Sequence, residues 1–523
     1  MGDTFTLTDE IIKFMSQYSL ESILSGIIEM QMLLYGHDDM FIPAAEYLAA
    51  NALYACSIEG TKEFKWVDYQ ILEQYGKRAY TPNVEKLIAE TLQMVNASDT
   101  EKQEFLQSQM MKMKGNMCRG DGYIHQLVAV ARDLYVPLDS SMKATMGFSF
   151  SSYEKVIRYI FAQYEKRIYG AYKEKNKITT VIKAIMNKEQ PWVPSIKSGY
   201  IFRIYKSELR QIIGDEAEKM CGYLCLKTDD DSFKKVEYDE FKMLQSKPFV
   251  DFGDYIYMPL IFSTLMNLPK QFHYSFIAEK LFDKKTLGLY TKNRGDVVER
   301  LTSKFVSRLI PEDKILHNLS YLGEDGEADV TVVTEAGMLF GECKSKIITL
   351  NSIRGIHESI KADVYQAIGA AYSQGVRSIQ RVVEGKKFIT ESGEEVVIPN
   401  VGKKYVVCVT IENFGIIPSE IDDYISIDEN VGVPYVVNVY DFDIITQECN
   451  SYSELIDYIE FRRKNYKIIS TMDELDAFGF FKKYGNKTIA LSADEFHITN
   501  YTAKFDMKYR LKDTEVFSEF TRG

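Results

Sequence analysis

Histidine is scarce in this chain, six residues in 523, and no two are spaced as HxxxH or in a similar metal box. Zinc-hydrolase chemistry draws its ligands from such pairs, so it is not expected. No GxxxxGKS/T segment occurs, and any ATP-driven step would need a partner. Cysteine appears seven times, an odd count without CxxC spacing. Cys221 and Cys225 read as buried thiols, not zinc ligands, and a reducing cytoplasm is the expected compartment. No apolar run reaches membrane-spanning length, and the opening MGDTFTLTDEIIKF lacks the basic and apolar regions of a signal peptide. A soluble cytoplasmic protein without a membrane partner is expected. Low-complexity tracts and internal repeats are also missing. Positive charge is the minority sign: 63 Lys and Arg against 75 Asp and Glu leave −12. Such a protein does not coat polyanions generally, so any nucleic acid must meet a locally basic surface.

The length suits two to four domains with a sizeable core. Residues 1–245 read as mostly helical. Thr8 is the expected N-cap of a first helix, Leu20 opens a second that is apolar on more than one side, and Pro43 suits the first turn of a third. Helical patterns follow at Val84 to Val95, Glu101 to Met113 and Ile124 to Leu134. From Tyr153 to Glu189, nine basic residues stand against four glutamates, with Tyr153, Tyr159, Phe161, Tyr164, Tyr169 and Tyr172 interleaved. Lysines that neutralise phosphates and rings that stack on bases would make this a nucleic-acid surface. The alternative is an amphipathic helix whose rings face the core. Trp192, between Pro191 and Pro194, marks the end of the run and a linker.

The most informative stretch is GEADVTVVTEAGMLFGECKSK, Gly326 to Lys346. Val330 to Thr334 and Met338 to Phe340 are strand-like runs separated by Glu335-Ala336-Gly337, a hairpin signal in which Gly337 supplies a positive φ. With Ala336 and Gly337 as the central turn residues, Asp329 lies opposite Lys344 and Thr331 opposite Glu342. Strand alternation then projects Asp329, Glu342 and Lys344 from one face. Two carboxylates beside an ammonium are costly unless a hard cation compensates. Mg²⁺ takes oxygen ligands and keeps waters, one of which can attack a phosphodiester, while the lysine orients that water or offsets developing charge. The bland alternative is a hairpin with solvated charges.

The pattern Asp, twelve residues, Glu-x-Lys resembles the PD-(D/E)XK nuclease superfamily, with Ala328-Asp329 where that family often has Pro-Asp. The likeness spans about residues 247–483 and identifies no narrower family. It implies a restriction-endonuclease-like mixed sheet flanked by helices, with Asp329, Glu342 and Lys344 as the catalytic set and Mg²⁺ or Mn²⁺ as cofactor. Asp329 and Glu342 would hold the metal, with the Cys343 carbonyl as an extra ligand. The helix before the hairpin, NRGDVVERLTSKFVSRLIP, places Glu299 where that family often adds an acidic ligand. The helix after it, Ile360 to Ala371, carries Gln366, matched to a Gln-x-x-x-Tyr signature but departing from it, because Ala370 stands where the Tyr belongs.

The flanks agree in order. KPFVDFGDYIYMP reads as two strands around Gly253-Asp254, KKYVVCVTIENFG as a central strand covered on both faces, and VPYVVNVYDFDIIT as another. KKFITESGEEVVIPN reads as an exposed hairpin. SYSELIDYIEFRRKN and STMDELDAFGFFKK read as helices, with strand-like runs from Thr488 to Tyr509. From Lys344 to Lys404, ten basic residues stand against six acids, so the active edge is expected to be locally basic. The expectation is therefore an α+β chain with a helical recognition or regulatory region at 1–245, a nuclease core at 246–446 and an extension at 447–523. The expected function is a metal-dependent endonuclease acting on DNA, in bacterial restriction or anti-phage defence, controlled by homo-oligomerisation or a partner protein. The alternatives are an RNase, or an inactive nuclease fold that binds nucleic acid or serves assembly.

Overall fold

The computed structural model describes residues 6–34, 41–56, 62, 68, 70–79, 98–117, 121–173, 200–230, 232–238, 240, 242–485 and 496–522. The architecture is α+β: helices dominate the N-terminal side, and mixed sheets of four and seven strands follow. Among the described residues no helix is long and apolar enough to cross a membrane. Contacts divide the chain into two compact units, Met1–Gln93 with Ile124–Leu287 and Arg510–Gly523, and Met94–Tyr123 with Gly288–Tyr509. The expected boundary near residue 245 thus falls inside the first unit, and residues 447–509 belong to the second rather than to an extension.

In the first unit, helix Leu7–Met15 is capped by Thr6, not Thr8. The Thr6 hydroxyl accepts the Asp9 N–H at 3.3 Å, and the Asp9 carboxylate takes the Thr6 N–H at 2.9 Å. Thr8 is instead buried and donates to Glu237 at 2.7 Å. Helix Phe150–Lys173 is amphipathic where described. Tyr153, Phe161 and Tyr164 are buried, Lys155 and Lys166 are exposed, and Arg158 pairs with Glu154 and Glu519. The core-facing alternative accounts for these residues. Lys175, Lys177, Lys183, Lys188, Trp192 and the pattern from Val84 to Val95 lie outside the described residues. The strands around Gly253, Phe249–Asp251 and Tyr255–Tyr257, pair antiparallel as read, with Gly253 at φ 91°. They are the two inner strands of the four-stranded sheet and so belong to the first unit, not to the hairpin's core.

The second unit is organised on the seven-stranded sheet. Its elements are α1 (Asp99–Met117), α2 (Lys284–Val306, from Gly288 onward), β1 (Ile315–Tyr321), β2 (Glu327–Val332), β3 (Met338–Lys344) and α3 (His357–Val364). A π-turn, Tyr365–Gly369, joins α3 to α4 (Ala370–Val383). There follow β4 (Lys387–Ile389), β5 (Glu395–Val397), β6 (Lys404–Thr410), β7 (Tyr435–Asn438), α5 (Val439–Glu448), α6 (Tyr452–Lys464) and α7 (Glu474–Tyr484). The strand order is β7-β6-β3-β2-β1-β4-β5. β3, β6 and β7 run parallel; the other neighbours pair antiparallel.

Strand β6 is buried from Tyr405 to Thr410, as its apolar run requires when helices cover both faces. The run Val433 to Thr446, read as a second such strand, splits. β7 takes Tyr435–Asn438, and the Asn438 side chain then accepts the N–H groups of Tyr440 and Asp441 at 3.0 and 2.9 Å, which starts α5. An N-cap inside a continuous apolar run changes the period without changing the composition. Likewise, of the strand-like runs read after Thr488, only Phe496–His497 is a strand among the described residues, and Ala503–Arg522 is helical. Hairpin β4–β5 forms at the sheet edge, with Gly393 at φ 84°.

One core packs α3 and α4 on the sheet. Phe340, Met338, Val406 and Cys408 meet Ile360, Val364, Ala371 and Ile379, and Met111 of α1 joins them. Helix α2 covers the other face, where the Cys343 thiol donates to Thr302 at 3.4 Å. Sandwiching β3 between two helices is what buries its polar residues.

Candidate active site

Strands β2 and β3 pair Val330 with Gly341, Thr331 with Phe340 and Val332 with Leu339. This register differs by two residues from the expected one. Extending it outward sets Asp329 opposite Glu342 instead of Lys344. The cause is the connection: Val333 to Gly337 form a five-residue loop, and Gly337 is not among the glycines with positive φ. The Thr334 hydroxyl closes the loop, accepting the Gly337 N–H at 3.2 Å and donating to its carbonyl at 2.9 Å. Gly337 is needed for close approach, because a Cβ there would lie 3.1 Å from Tyr405 and 3.2 Å from Ile456. A two-residue shift preserves parity, so the three charged side chains still converge.

A second irregularity sits at Asp329. Pairing of β1 with β2 skips Asn318 and Asp329, and Asn318 adopts a left-handed φ of 45°. Leu316, Leu319 and Tyr321 all face the α3–α4 core, while His317 approaches Ser303 on α2. Alternation therefore breaks between His317 and Leu319. The break leaves Asp329 at a kink where its carboxylate reaches into the sheet plane.

That carboxylate is buried and shared among three groups. Its Oδ2 accepts the Cys343 backbone N–H at 2.7 Å and lies 3.8 Å from Lys344 Nζ. Its Oδ1 accepts from Gln374 Nε2 at 3.0 Å. Gln374 closes the ring, since its Oε1 accepts from Lys344 Nζ at 3.0 Å, and Nε2 also reaches the Glu327 carbonyl at 2.9 Å. Glu342 is fully buried; the Asp329 backbone N–H favours its charged form, but among the described residues neither carboxylate oxygen has a hydrogen-bond partner of good geometry. The Thr331 hydroxyl, also fully buried, is likewise unpartnered. Burial, then the negative charge of Asp329, raises the Glu342 pKa well above the carboxylate range. Burial also raises that of Asp329, with Lys344, Cys343 and Gln374 opposing it. Glu299, half-buried on α2, is pushed up to about 7 by burial and then by Asp329, Asp296 and Glu327.

The structure thus brings Asp329, Glu342 and Lys344 together, with Glu299 close enough to feel their charge. The Cys343 side chain points away toward Thr302, and burial raises its thiol pKa well above the usual value. Its carbonyl alternates onto the same strand edge as the N–H that meets Asp329. Gln366 does not join the cluster: it is exposed on the π-turn, and Gln374, two helical turns onward, holds the place expected for it. The π-turn inserts a residue, which shifts every later face of the helix. Gly375 was the available signal. A Cβ there would come within 2.6 Å of Val406 and 3.3 Å of Glu342 Cγ, so small residues mark the closest approach of α4 to the sheet. A further residue the sequence reading missed is Asp363, which pairs with Lys346 at 3.0 Å and accepts from Thr349 and Ser352, pinning the chain that leaves β3. The expected basic surplus is largely internalised: Lys346, Lys361, Arg381, Lys386, Lys387 and Lys403 all stand in ion pairs.

Among the described residues no group of three or more His, Cys, Asp or Glu is arranged to hold a metal. Magnesium does not require one, because it is commonly bound by one or two carboxylates and keeps several waters. The Glu342 carboxylate beside Asp329 fits that demand: fully buried and with no side-chain donor among the described residues, it lacks a cation or a proton. No protein-family model, curated protein or solved structure matches the chain.

Proposed function

We propose that the chain is a divalent-metal-dependent nuclease that hydrolyses phosphodiester bonds, with DNA as its substrate. The observation that carries this reading is Glu342, fully buried with both carboxylate oxygens unpartnered, beside Asp329 and Lys344. Asp329 and Glu342 would hold Mg²⁺ or Mn²⁺, with the Cys343 carbonyl and Glu299 at the margin. A bound ion would supply Lewis acidity and charge neutralisation. Lys344, fixed by Gln374, brings a cation to the cluster and would meet a scissile phosphate or orient the attacking water. Gln374 holds Lys344 and Asp329 at a set separation, which is positioning rather than chemistry.

Among the described residues no three-ligand group is arranged to hold a metal, and the second reading is a nuclease fold that binds nucleic acid without cleaving it. Incubating the full chain with plasmid DNA and with RNA, in Mg²⁺ or Mn²⁺, separates the two. Cleavage that falls by roughly 10²–10⁴-fold in Lys344→Ala is expected. Binding without cleavage of either polymer would favour the second reading, and unchanged cleavage in Lys344→Ala would overturn the site.

A further inference from the structure

At the other end of the parallel strands lies a cavity of about 850 Å³, framed by the C-terminal turn of α4, the loop entering β6, the loop before β7 and the end of α6. Lys404 at its rim pairs in register with Met338, the first residue of β3, whereas Lys344 ends that strand. The cavity is therefore separated from Lys344 by the length of β3, roughly 20 Å at about 3.3 Å per residue. It is not part of the candidate active site.

Its polar wall is unbalanced. Lys403, Lys404, Arg463 and Lys464 face Glu384, Asp428 and Glu460 across it. Each of the three acids is already engaged. Glu460 takes both Lys403 and Lys464, at 3.1 and 3.2 Å. Glu384 pairs with Lys386 at 2.9 Å. Asp428 accepts the N–H groups of Asn430 and Val431 at 2.9 and 3.2 Å, closing its own turn.

Lys404 and Arg463 hydrogen-bond to carbonyls alone among the described residues, and the Arg463 guanidinium also lies over the Tyr405 ring at 5.0 Å. Lys404 donates to Gly402 at 3.3 Å, and Arg463 donates to Val433 at 2.7 Å and to Val431. Burial holds the Arg463 pKa below its ordinary value, although the charge of Glu460 opposes it. Gly432, at φ 75°, lets the loop press on that guanidinium, since a Cβ there would lie 2.7 Å from Nη2. Ile379, Val383, Ile427 and Val433 form an apolar wall with the ring of Tyr466 beside them, and Gln380 and Asn430 add two neutral polar groups. Ligand sites of roughly 300–1,000 Å³ combine such an apolar wall with a few placed charges.

We propose that this cavity binds a nucleoside phosphate, its phosphate against Lys403, Lys404 and Lys464 and its base and sugar along the aliphatic wall and Tyr466. An anion there gives Lys404, which stands in no ion pair among the described residues, an opposite charge, and an apolar wall gives the base a surface that inorganic phosphate does not use. The assignment is independent of the nuclease reading.

The test is calorimetric titration of the full chain, in EDTA, with AMP, GMP, CMP, UMP and inorganic phosphate. At least one nucleotide is expected to bind, more tightly than phosphate, and about tenfold more weakly in the double variant Lys404→Ala/Lys464→Ala. Lys464 is exposed and Lys404 half-buried at the start of β6, and a thermal melt matching the wild type checks that the variant folds. Glu342→Gln is expected to leave the binding unchanged, which separates this site from the candidate active site. No binding by any of the four nucleotides overturns the proposal. So does phosphate binding as tightly as they do, or nucleotide binding that the double variant does not weaken.

Discussion

Asp329 accepts the backbone N–H of Cys343 at 2.7 Å at the point where the β2–β3 ladder stops. A side chain replaces the missing strand partner, which makes the acid both a structural cap and a candidate ligand. Asp329→Asn separates the two roles. Its oxygen can still serve Cys343, but its amide then faces Gln374 Nε2, and a flipped Gln374 would turn donors toward Lys344. One buried donor is left unsatisfied in either arrangement, at a cost of about 1–3 kcal/mol. Urea denaturation in EDTA is expected to show that loss; a variant as stable as the wild type would show the ring to be dispensable.

Glu342→Gln is expected to act in the opposite direction. The wild-type carboxylate is fully buried with no side-chain donor among the described residues, so neutralising it in EDTA leaves stability unchanged or raises it. Saturating Mg²⁺ should raise the wild-type Tm, by about 2.7 kcal/mol of added stability at a hundredfold excess over Kd, and should not raise that of the variant. Paired thermal melts with and without MgCl₂ check both statements. Equal Mg²⁺ shifts in the two proteins would place the ion elsewhere.

Glu299 sets a pH dependence. Its folded-state pKa of about 7 exceeds the ordinary 4.5, so between those values the folded state binds more protons than the unfolded one. Stability from this group is therefore fully present below about pH 4.5 and is lost as pH rises toward 7. In EDTA, Glu299→Gln should flatten the fall in Tm across that window, and the gap between variant and wild type should widen with pH. Parallel profiles for the two proteins would show that Glu299 does not carry the effect.

The hairpin, its parity and three of its charged residues were legible because a period of two survives a register error of two. Loop length was not legible, since Gly337 signals a tight turn as readily as the close approach to Tyr405 and Ile456 that it serves. Gln374 was hidden by the π-turn at Tyr365–Gly369, which no residue in that stretch announces, so the match to a Gln-x-x-x-Tyr spacing selected Gln366. The kink at Asn318 was equally silent. The compact units do not follow the expected boundaries: α1 is close in sequence to the first unit's helices but buries Met111 in the second unit's core. Composition does not record which sheet a helix covers.

Gly375 tests how closely α4 must approach the sheet. In a free helix, replacing glycine by alanine gains about 1 kcal/mol. Here the added Cβ would lie 2.6 and 2.9 Å from the two γ-carbons of Val406, inside a core with no room to yield. Overpacking of this kind costs about 1–3 kcal/mol, which outweighs the gain in propensity. Gly375→Ala should therefore be destabilised, and because Glu342 Cγ lies 3.3 Å from the same point, its Mg²⁺ affinity should fall as well. Combining it with Val406→Ala removes the clashing atoms at the price of a cavity. If the clash is the cause, the double variant recovers Mg²⁺ affinity though not full stability; a double variant that recovers neither would trace the defect to the helix itself.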